Sequence, residues 1–191
     1  PKLKAMYGAD TMPQTAETVA QRLNISREEQ DLFAFESQQR TKKAIESNRF
    51  AEEIIPVIIK DHKGNETVIN QDEHPRPDTT LETLAKLKPL FENGTVTAGN
   101  ASGVNDGASA LLLMSAEKAN ELGIKPLARY VTGAFAGLEP AVMGLGPIYS
   151  SRKALQRAGL TTEDIGLYEI NEAFASQSIV SIKQLGLDPA K

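Results

Sequence analysis

The first 100 residues are predicted to hold two helices, a hairpin and a third, short helix. Hydrophobic positions recur with helical spacing over residues 11–23, and a capping box at 26–29 begins a second, longer helix. On this longer helix the expected buried stripe is Leu32, Phe35, Ala44 and Ile45. The side chains expected to face water are Glu36, Gln39, Arg40 and Lys43.

The apolar run at 54–59 predicts an edge strand, because Pro56 has no N–H to donate to a ladder. A turn then leads into 67–69, which completes the hairpin. Charges and prolines crowd residues 72–78 and predict a loop, and 81–87 predicts a short helix. This half of the chain shows little of a repeating βα unit.

The second half alternates between strand and helix patterns. An apolar run at 108–114 precedes the first of its helices. The predicted strands are 127–135 and 167–170, and the predicted helices are 115–123, 152–157 and 172–185. Alternating strands and helices imply a sheet covered by helices, which is the α/β class.

Composition narrows the possible functions. The chain has 191 residues, of which 40% are hydrophobic and 24% charged, as in an ordinary globular protein. No apolar run reaches the roughly 20 residues of a membrane span, and no signal-peptide pattern opens the chain. The net charge of -4 argues against nucleic-acid binding, so an anionic ligand would need a local cluster of cations and N–H groups. Cysteine is absent, which excludes disulfides, zinc ribbons and thiol nucleophiles within these residues.

Small and polar residues mark three candidate sites. Residues 97–107 hold three glycines and would let the backbone approach a ligand, or would form a tight crossing between domains. Residues 143–147 would line a pocket or rigidly connect to the next helix. At 170–174 a predicted strand meets a predicted helix, where ligands bind in open α/β sheets. There Asn171 would hold a water or a carbonyl oxygen, or would serve as an ordinary N-cap.

These segments together resemble the signatures of the thiolase family. Residues 97–107, 143–147 and 171–175 match three thiolase motifs in family order and spacing, and residues 12–17 are similar to a fourth, with Pro13 replacing a glycine. The resemblance covers essentially the whole chain. It corresponds to the middle portion of the family's length, so we expect the chain to be a fragment of a longer enzyme.

The resemblance also favours a subclass. Residues 7–13, 72–76 and 78–82 look like those of β-ketoadipyl-CoA thiolases, which act in the degradation of aromatic compounds. In acetoacetyl-CoA thiolases a histidine usually stands where this chain has Thr11. The implied reaction is cleavage of 3-oxoadipyl-CoA to acetyl-CoA and a shortened acyl-CoA, or the reverse Claisen condensation. The alternatives are an acetoacetyl-CoA thiolase of fatty acid metabolism and a non-catalytic CoA-binding scaffold fragment.

The fold implied by the resemblance is the layered α-β-α-β-α fold of thiolases, an α/β fold present here only in part, with an α+β lid domain. Residues 1–100 are expected to form the lid, which binds CoA. Residues 101–125 are expected to end the N-terminal core domain, and residues 126–191 to begin the C-terminal one.

Thiolases use a cysteine thiolate to take the acyl group and a second cysteine to move a proton. A histidine near the C-terminus and an asparagine-held water stabilise the oxyanion. The resemblance assigns that asparagine to Asn171. Because the chain holds no cysteine, we expect it to be inactive alone. His62 and His74 lie in the wrong segment to replace the catalytic histidine, and we expect both to be surface residues.

The resemblance implies CoA as a substrate, with no permanently bound cofactor and no metal. The residues expected near the nucleotide are Arg76 and Thr83, and those lining the pantetheine tunnel are Phe91, Ala98 and Ser102. The residues expected around the acyl end are Thr11, Met12, Met143 and Phe174. The expected partners are acyl-CoA and CoA, without nucleic acid or membrane. The full-length enzyme is expected to be a cytoplasmic homodimer or homotetramer.

Overall fold

The computed structural model describes residues 6, 8 and 10–190 of the chain. Tyr7 and Ala9 of the proposed subclass motif lie outside the described residues. The helices are α1 Met12–Arg22, α2 Arg27–Glu46, α3 Leu81–Ala85, α4 Ala116–Glu121, α5 Gly146–Ala158 and α6 Ala175–Leu185. A 3-10 segment spans Pro140–Leu145, and the strands are β1 Val57–Lys60 and β2 Glu66–Ile69.

Local sequence signals set the ends of the longer helices. The predicted capping box of α2 is confirmed, because Ser26 Oγ accepts from the N–H of Glu29 at 3.1 Å and the Glu29 carboxylate accepts from the N–H of Ser26 at 3.0 Å. Helices α5 and α6 end at Gly159 and Gly186, whose φ angles of 67° and 65° need the left-handed region that glycine adopts without strain.

The apolar core lies between α1, the 3-10 segment, α5 and α6. Helix α1 packs against both the 3-10 segment and α6, and α2 covers α6 from another side. Val19 of α1 and Ile148 of α5 are completely buried. The other buried members are Ala20, Ile25, Val142, Ala175, Ile179, Val180 and Leu185. Burial of each large aliphatic side chain stabilises the fold by about 1.5–3 kcal/mol.

The predicted apolar stripe of α2 is wrong in part. Leu32 and Ile45 are 46% and 48% exposed, while Phe35 and Ala44 are half-buried. The buried residues of α2 are Gln30, Asp31 and Ala34. Of the side chains expected to face water, Glu36, Arg40 and Lys43 are exposed and Gln39 is half-buried. Helix α2 therefore buries a largely polar face, which hydrophobic periodicity does not detect.

The predicted hairpin is confirmed. Strands β1 and β2 pair antiparallel, from Val57 opposite Ile69 to Lys60 opposite Glu66. The Asp61 carboxylate accepts from the N–H groups of Lys63 at 2.7 Å and Asn65 at 2.9 Å, which fixes the turn. Strand β1 begins after Pro56 rather than at residue 54, and every residue of both strands is exposed.

The predicted strands 127–135 and 167–170 do not form. In the part of the chain that the structure describes, β1 and β2 make up the only sheet, and no backbone hydrogen bond joins 127–135 or 167–170 to a neighbouring strand. A strand is defined by its ladder, so a strand-like sequence without a paired neighbour remains irregular. Carbonyls at Gly133 and Phe135 instead accept from the side chains of Arg157 and Lys153 on α5.

We call residues 104–113, 127–135 and 167–170 the unpaired segments. Several of their large apolar side chains are more than 80% exposed: Val104, Leu111, Leu112, Leu127, Phe135 and Leu167. The chain exposes 14491 Å² in total. A compact monomer of 20.7 kDa exposes about 8,900 Å² by the usual scaling of surface with mass. Together with these exposed side chains, the large surface indicates that the apolar side chains of the unpaired segments have no cover among the described residues.

Candidate functional site

A groove of about 570 Å³ lies between the loop that follows the hairpin, helix α3 and the glycine-rich segment. Three of the five residues predicted to bind CoA line it, namely Arg76, Thr83 and Ala98. The other lining residues are Gln38, His74, Pro77, Asp78, Thr79, Leu84, Leu87, Gly99 and Ala101. The groove is therefore polar along the 74–79 side and apolar at its leucines.

Arg76 organises the polar side of the groove. Its backbone N–H donates to Gln38 Oε1 at 2.8 Å, which ties the loop to α2. Its Nη1 donates to the carbonyls of Glu73, His74 and Pro75 at 2.6, 3.0 and 3.1 Å. Among the described residues, Nε and Nη2 of Arg76 have no acceptor. An exposed guanidinium with free N–H groups is suited to pair with phosphate or to stack on an aromatic base.

Two glycines of the 97–107 motif make close packing possible. A Cβ at Gly99 would come within 2.5 Å of Leu87 Cδ1 and 2.6 Å of Leu84 Cδ2. A Cβ at Gly103 would come within 2.6 Å of His74 Cε1. Both glycines therefore let neighbouring side chains pack directly against the backbone. His74 is exposed, as expected, and it also lines the groove.

We call residues 94–102 the anchored loop. Its buried side chain Asn100 accepts from the N–H of Thr97 at 2.8 Å and donates to Asp31 Oδ1 at 3.0 Å. Asp31 Oδ2 in turn accepts from Arg27 Nε at 2.7 Å. Arg27 Nη2 then donates to the carbonyls of Leu84 and Leu87 at 2.6 and 3.0 Å. One chain of hydrogen bonds thus connects the loop, α2 and the leucines of the groove.

The anchored loop also meets the segment that carries Asn171. The N–H of Ala175 donates to the carbonyl of Asn100 at 2.9 Å, and the N–H of Ser102 donates to the carbonyl of Ala173 at 3.0 Å. Ala101 lies opposite Phe174 in an antiparallel bridge. Two motifs that are some 70 residues apart in sequence are therefore adjacent in the structure.

The N-cap interpretation of Asn171 is wrong. Helix α6 begins at Ala175 rather than at residue 172, and its N-cap is Phe174. Asn171 is exposed, and its side-chain amide has no hydrogen-bond partner within the described residues. The next residue, Glu172, accepts from Ser37 Oγ at 2.7 Å and holds the segment against α2. The amide of Asn171 is therefore available to a ligand or a water.

The four residues predicted for the acyl end lie on elements that pack together. Thr11 is the N-cap of α1 and Met12 its first residue, Met143 lies in the 3-10 segment, and Phe174 caps α6. Met12 and Met143 are about half exposed, at 49% and 47%. None of the four lines the groove described above.

Two predicted CoA residues lie beside the groove rather than in its lining. Phe91 is half-buried, and its carbonyl accepts from the N–H of Gly94 at 3.0 Å in the turn that precedes the anchored loop. Ser102 is exposed and follows Ala101, a lining residue. The sequence did not point to Gln38, Leu84 and Leu87 as groove residues. Gln38 and Leu84 lie on helices and Leu87 just beyond the end of α3, and no local motif reveals how these elements are oriented.

A second cleft of about 540 Å³ meets the same loop as the groove, since Pro75 lines the cleft while its neighbours His74 and Arg76 line the groove. It is lined by Thr41, Ile45, Asn48, Phe50, Ala51, Ile54, Pro56, Asn70, Gln71, Asp72 and Pro75. Within residues 6, 8 and 10–190, no cluster of three or more histidine, aspartate or glutamate side chains could hold a metal ion. None of the helices in the described ranges is long and apolar enough to cross a membrane.

Comparison with known proteins agrees with this architecture. The sequence profile of the thiolase N-terminal domain matches residues 1–117, and that of the thiolase C-terminal domain matches residues 124–191. The chain aligns with a crystal structure of Bacillus anthracis acetyl-CoA acetyltransferase at a TM-score of 0.89 and 49% identity, covering 95% of this chain and 46% of that one. A structure of human mitochondrial 3-ketoacyl-CoA thiolase aligns at 0.86 and 47% identity, covering 94% and 46%.

Curated relatives are similarly close in sequence. The 3-oxoadipyl-CoA/3-oxo-5,6-dehydrosuberyl-CoA thiolase of Escherichia coli K12 is 54% identical over 188 residues, which are 98% of this chain and 47% of the relative. The acetyl-CoA acetyltransferase of Syntrophomonas wolfei is 57% identical over 173 residues, 90% of this chain and 43% of the relative. The chain belongs to the thiolase family, and it spans about half the length of the curated relatives it matches. The predicted thiolase-like α/β fold, present in part, is confirmed.

Proposed function

We propose that the protein containing this chain is a thiolase that transfers an acyl group between an enzyme cysteine and CoA. The groove carries this proposal, because it combines the free guanidinium edge of Arg76 with the apolar side chains of Leu84 and Leu87. An anionic nucleotide suits the first and a neutral pantetheine chain suits the second. CoA is a substrate here, and the chain supplies its binding surface.

Calorimetric titration of CoA tests the groove directly. Arg76→Ala should weaken binding about tenfold or more, the scale of a lost hydrogen bond to a charged group. A matched control is Arg49→Ala, an exposed arginine whose ion pair with Glu53 lies one turn away and outside the groove lining. Equal affinity of both variants for CoA would refute the assignment of the groove.

For the substrate we propose 3-oxoadipyl-CoA. Two relatives are named as 3-oxoadipyl-CoA and β-ketoadipyl-CoA thiolases. In addition, this chain has Thr11 where acetoacetyl-CoA thiolases usually have a histidine. The Syntrophomonas relative is named as an acetyl-CoA acetyltransferase, which favours acetoacetyl-CoA as the second candidate. The measurement that separates them is kcat/KM of the complete gene product, meaning these residues with any sequence that flanks them in their gene. A clear preference for acetoacetyl-CoA would remove the subclass and leave the family.

In this proposal Asn171 positions the water that stabilises the oxyanion, and Thr11, Met12, Met143 and Phe174 surround the acyl end. The free amide of Asn171 and its position beside the anchored loop support its role. We also propose the division into a lid of residues 1–100, an N-terminal core segment of 101–125 and a C-terminal core segment of 126–191. A cytoplasmic homodimer or homotetramer completes the proposal, and light scattering of the gene product tests the oligomeric state.

The absence of cysteine bears on the chain itself. A thiolase needs a thiolate to accept the acyl group, so we propose that the 191 residues alone bind CoA without turning over acyl-CoA. The same observation favours a second candidate function, a non-catalytic CoA-binding scaffold. The intact mass of the gene product and an assay of its thiolysis distinguish the two, since a scaffold would be inactive at any length.

A further inference from the structure

Glu17 of α1 is a buried carboxylate that binds the start of the anchored loop. Only 6% of its surface is exposed. Its Oε2 accepts from the N–H groups of Thr95 at 2.8 Å and Val96 at 3.0 Å. Its Oε1 accepts from the N–H and the hydroxyl of Thr95, both at 3.0 Å. Within the described residues, its partners are backbone N–H groups and one hydroxyl, and no cation pairs with it.

The anchored loop has no regular secondary structure of its own, so side chains decide its path. One anchor is Asn100, which Asp31 and Arg27 hold from α2. At the opposite end of the loop Glu17 holds Thr95 and Val96, and Gln30 Nε2 of α2 donates to Thr95 Oγ1 at 2.9 Å. Hydrogen bonds to a carboxylate are about twice as strong as those between neutral groups. A carboxylate is therefore well suited to hold the backbone amides of an irregular loop in place.

The anchored loop has one side buried in the protein and another side facing the groove. Val96 and Thr97 are fully buried against the protein, while Ala98, Gly99 and Ala101 line the groove. The far end of the loop bonds to residues 173–175, next to Asn171. A shift at Thr95 would therefore move one wall of the groove and the segment beyond it.

We propose that Glu17 is a positioning residue for CoA binding, acting through the anchored loop without touching the ligand. This inference rests on the proposed function, since it needs the groove to be the CoA site. The carboxylate fixes the backbone of Thr95 and Val96, and the loop then presents Ala98, Gly99 and Ala101 at the right place in the wall.

The test is the dissociation constant for CoA of the complete gene product, measured well below its melting temperature. Glu17→Ala should weaken CoA binding about tenfold or more, because a loop released from Glu17 has to be ordered again when CoA binds. Glu17→Gln keeps an oxygen acceptor of the same reach for the two N–H groups, so it should retain affinity within about threefold.

A second variant displaces the carboxylate without removing it. A Cβ at Gly94 would come within 2.8 Å of Glu17 Oε2. Gly94→Ala should therefore weaken CoA binding more than Glu17→Gln and less than Glu17→Ala. This variant also keeps the proposal testable if Glu17→Ala does not fold. Amide hydrogen exchange at residues 94–102 should rise in Glu17→Ala and Gly94→Ala, because their backbone is released.

The matched control is Thr15→Val on the same helix. Thr15 is also buried and polar, but its hydroxyl bonds to the carbonyl of Met12 at 2.7 Å and not to the anchored loop. It should lower the melting temperature and leave CoA affinity and loop exchange unchanged. If Glu17 had a purely structural role, Glu17→Ala would also lower the melting temperature and leave CoA affinity and loop exchange unchanged. That outcome overturns the proposal.

The failure of the two proposals can be told apart. If the wild-type gene product does not bind CoA, the proposed function falls and the role of Glu17 falls with it. If the wild type binds CoA and Glu17→Ala and Gly94→Ala bind it equally well, only the role of Glu17 is overturned. Weakened binding in both, with recovery in Glu17→Gln, supports it.

Discussion

The anchored loop and the unpaired segments are both irregular in backbone, yet they differ in how their groups are satisfied. In the anchored loop, buried amides and side chains bond to Glu17, Asp31 and the residues before α6. In the unpaired segments, apolar side chains such as Leu127 and Phe135 are exposed by 106% and 91% of their reference areas.

The difference lies in where the partners are found. The donors and acceptors that bond to the anchored loop lie largely on helices of this chain, so its buried polar groups are satisfied within the described residues. The unpaired segments carry strand-like sequence and bury little, because a ladder and an apolar cover require neighbours that these residues do not supply. The groove that we propose as the CoA site belongs to the first kind of region, and the predicted sheet belongs to the second.

The largest expected effect separates binding from turnover. The 191-residue chain should bind CoA in calorimetry and show no thiolysis of 3-oxoacyl-CoA, because no thiolate is available to take the acyl group. The complete gene product is assayed beside it. Turnover by the chain, or a labelled acyl-enzyme adduct, would contradict the comparison, as would a failure of the chain to bind CoA.

A second prediction concerns stability in the two kinds of region. Ile148 is fully buried in the core, so Ile148→Ala should lower the free energy of unfolding by about 2–5 kcal/mol. Leu127→Ala in an unpaired segment should change it by less than about 0.5 kcal/mol in the isolated chain. Urea unfolding measures both. A comparable loss at Leu127 would mean that the unpaired segments pack within this chain.

Asn171 tests the segment that the anchored loop positions. In the complete gene product, Asn171→Asp should lower kcat about 10²-fold or more, since a carboxylate adds charge where the oxyanion forms. Because Asn171 does not cap α6, Asn171→Ala should also leave the melting temperature nearly unchanged. Near-wild-type turnover of Asn171→Asp would remove the only catalytic role proposed in this chain.

The smallest expected effect is a dependence of stability on pH. A hydrogen bond from Arg22 lowers the pKa of Glu139, and one from Lys183 lowers the pKa of Glu29. A carboxyl with a lowered pKa stabilises the folded state above its unfolded pKa, and this stabilisation is lost as pH falls through the folded value. The melting temperature should therefore decrease as the pH drops below about 4.5. Glu139→Gln should reduce that fall, and an unchanged profile would show that this exposed pair contributes nothing.

Local signals in the sequence predicted much of the fold. The capping box at Ser26 and the hairpin depend on neighbours within a few residues, so the sequence shows them directly. The thiolase motifs predicted the family in the same way. Periodicity failed on α2, because its buried face carries Gln30 and Asp31 to satisfy the anchored loop rather than leucines to fill a core.

The site was harder to predict than the fold. Strand-like sequence ran through 167–170, and the expectation that a helix followed at once led to the wrong start for α6 and the wrong cap for Asn171. Glu17 lies inside a recognised motif, but its bonds to Thr95 and Val96 span nearly 80 residues. Long-range polar partners of this kind leave no periodic signal in one sequence.

The hairpin described above has a consequence for the solubility of the isolated chain. Both of its faces carry exposed branched residues, with Val57 and Ile69 on one and Ile58 and Val68 on the other. Open strand edges with such side chains can recruit identical segments and grow into fibres. Pro56 interrupts the apolar run before β1, and the Lys60–Glu66 ion pair places charge at its other end. These flanking residues are the features that oppose fibre growth at this edge.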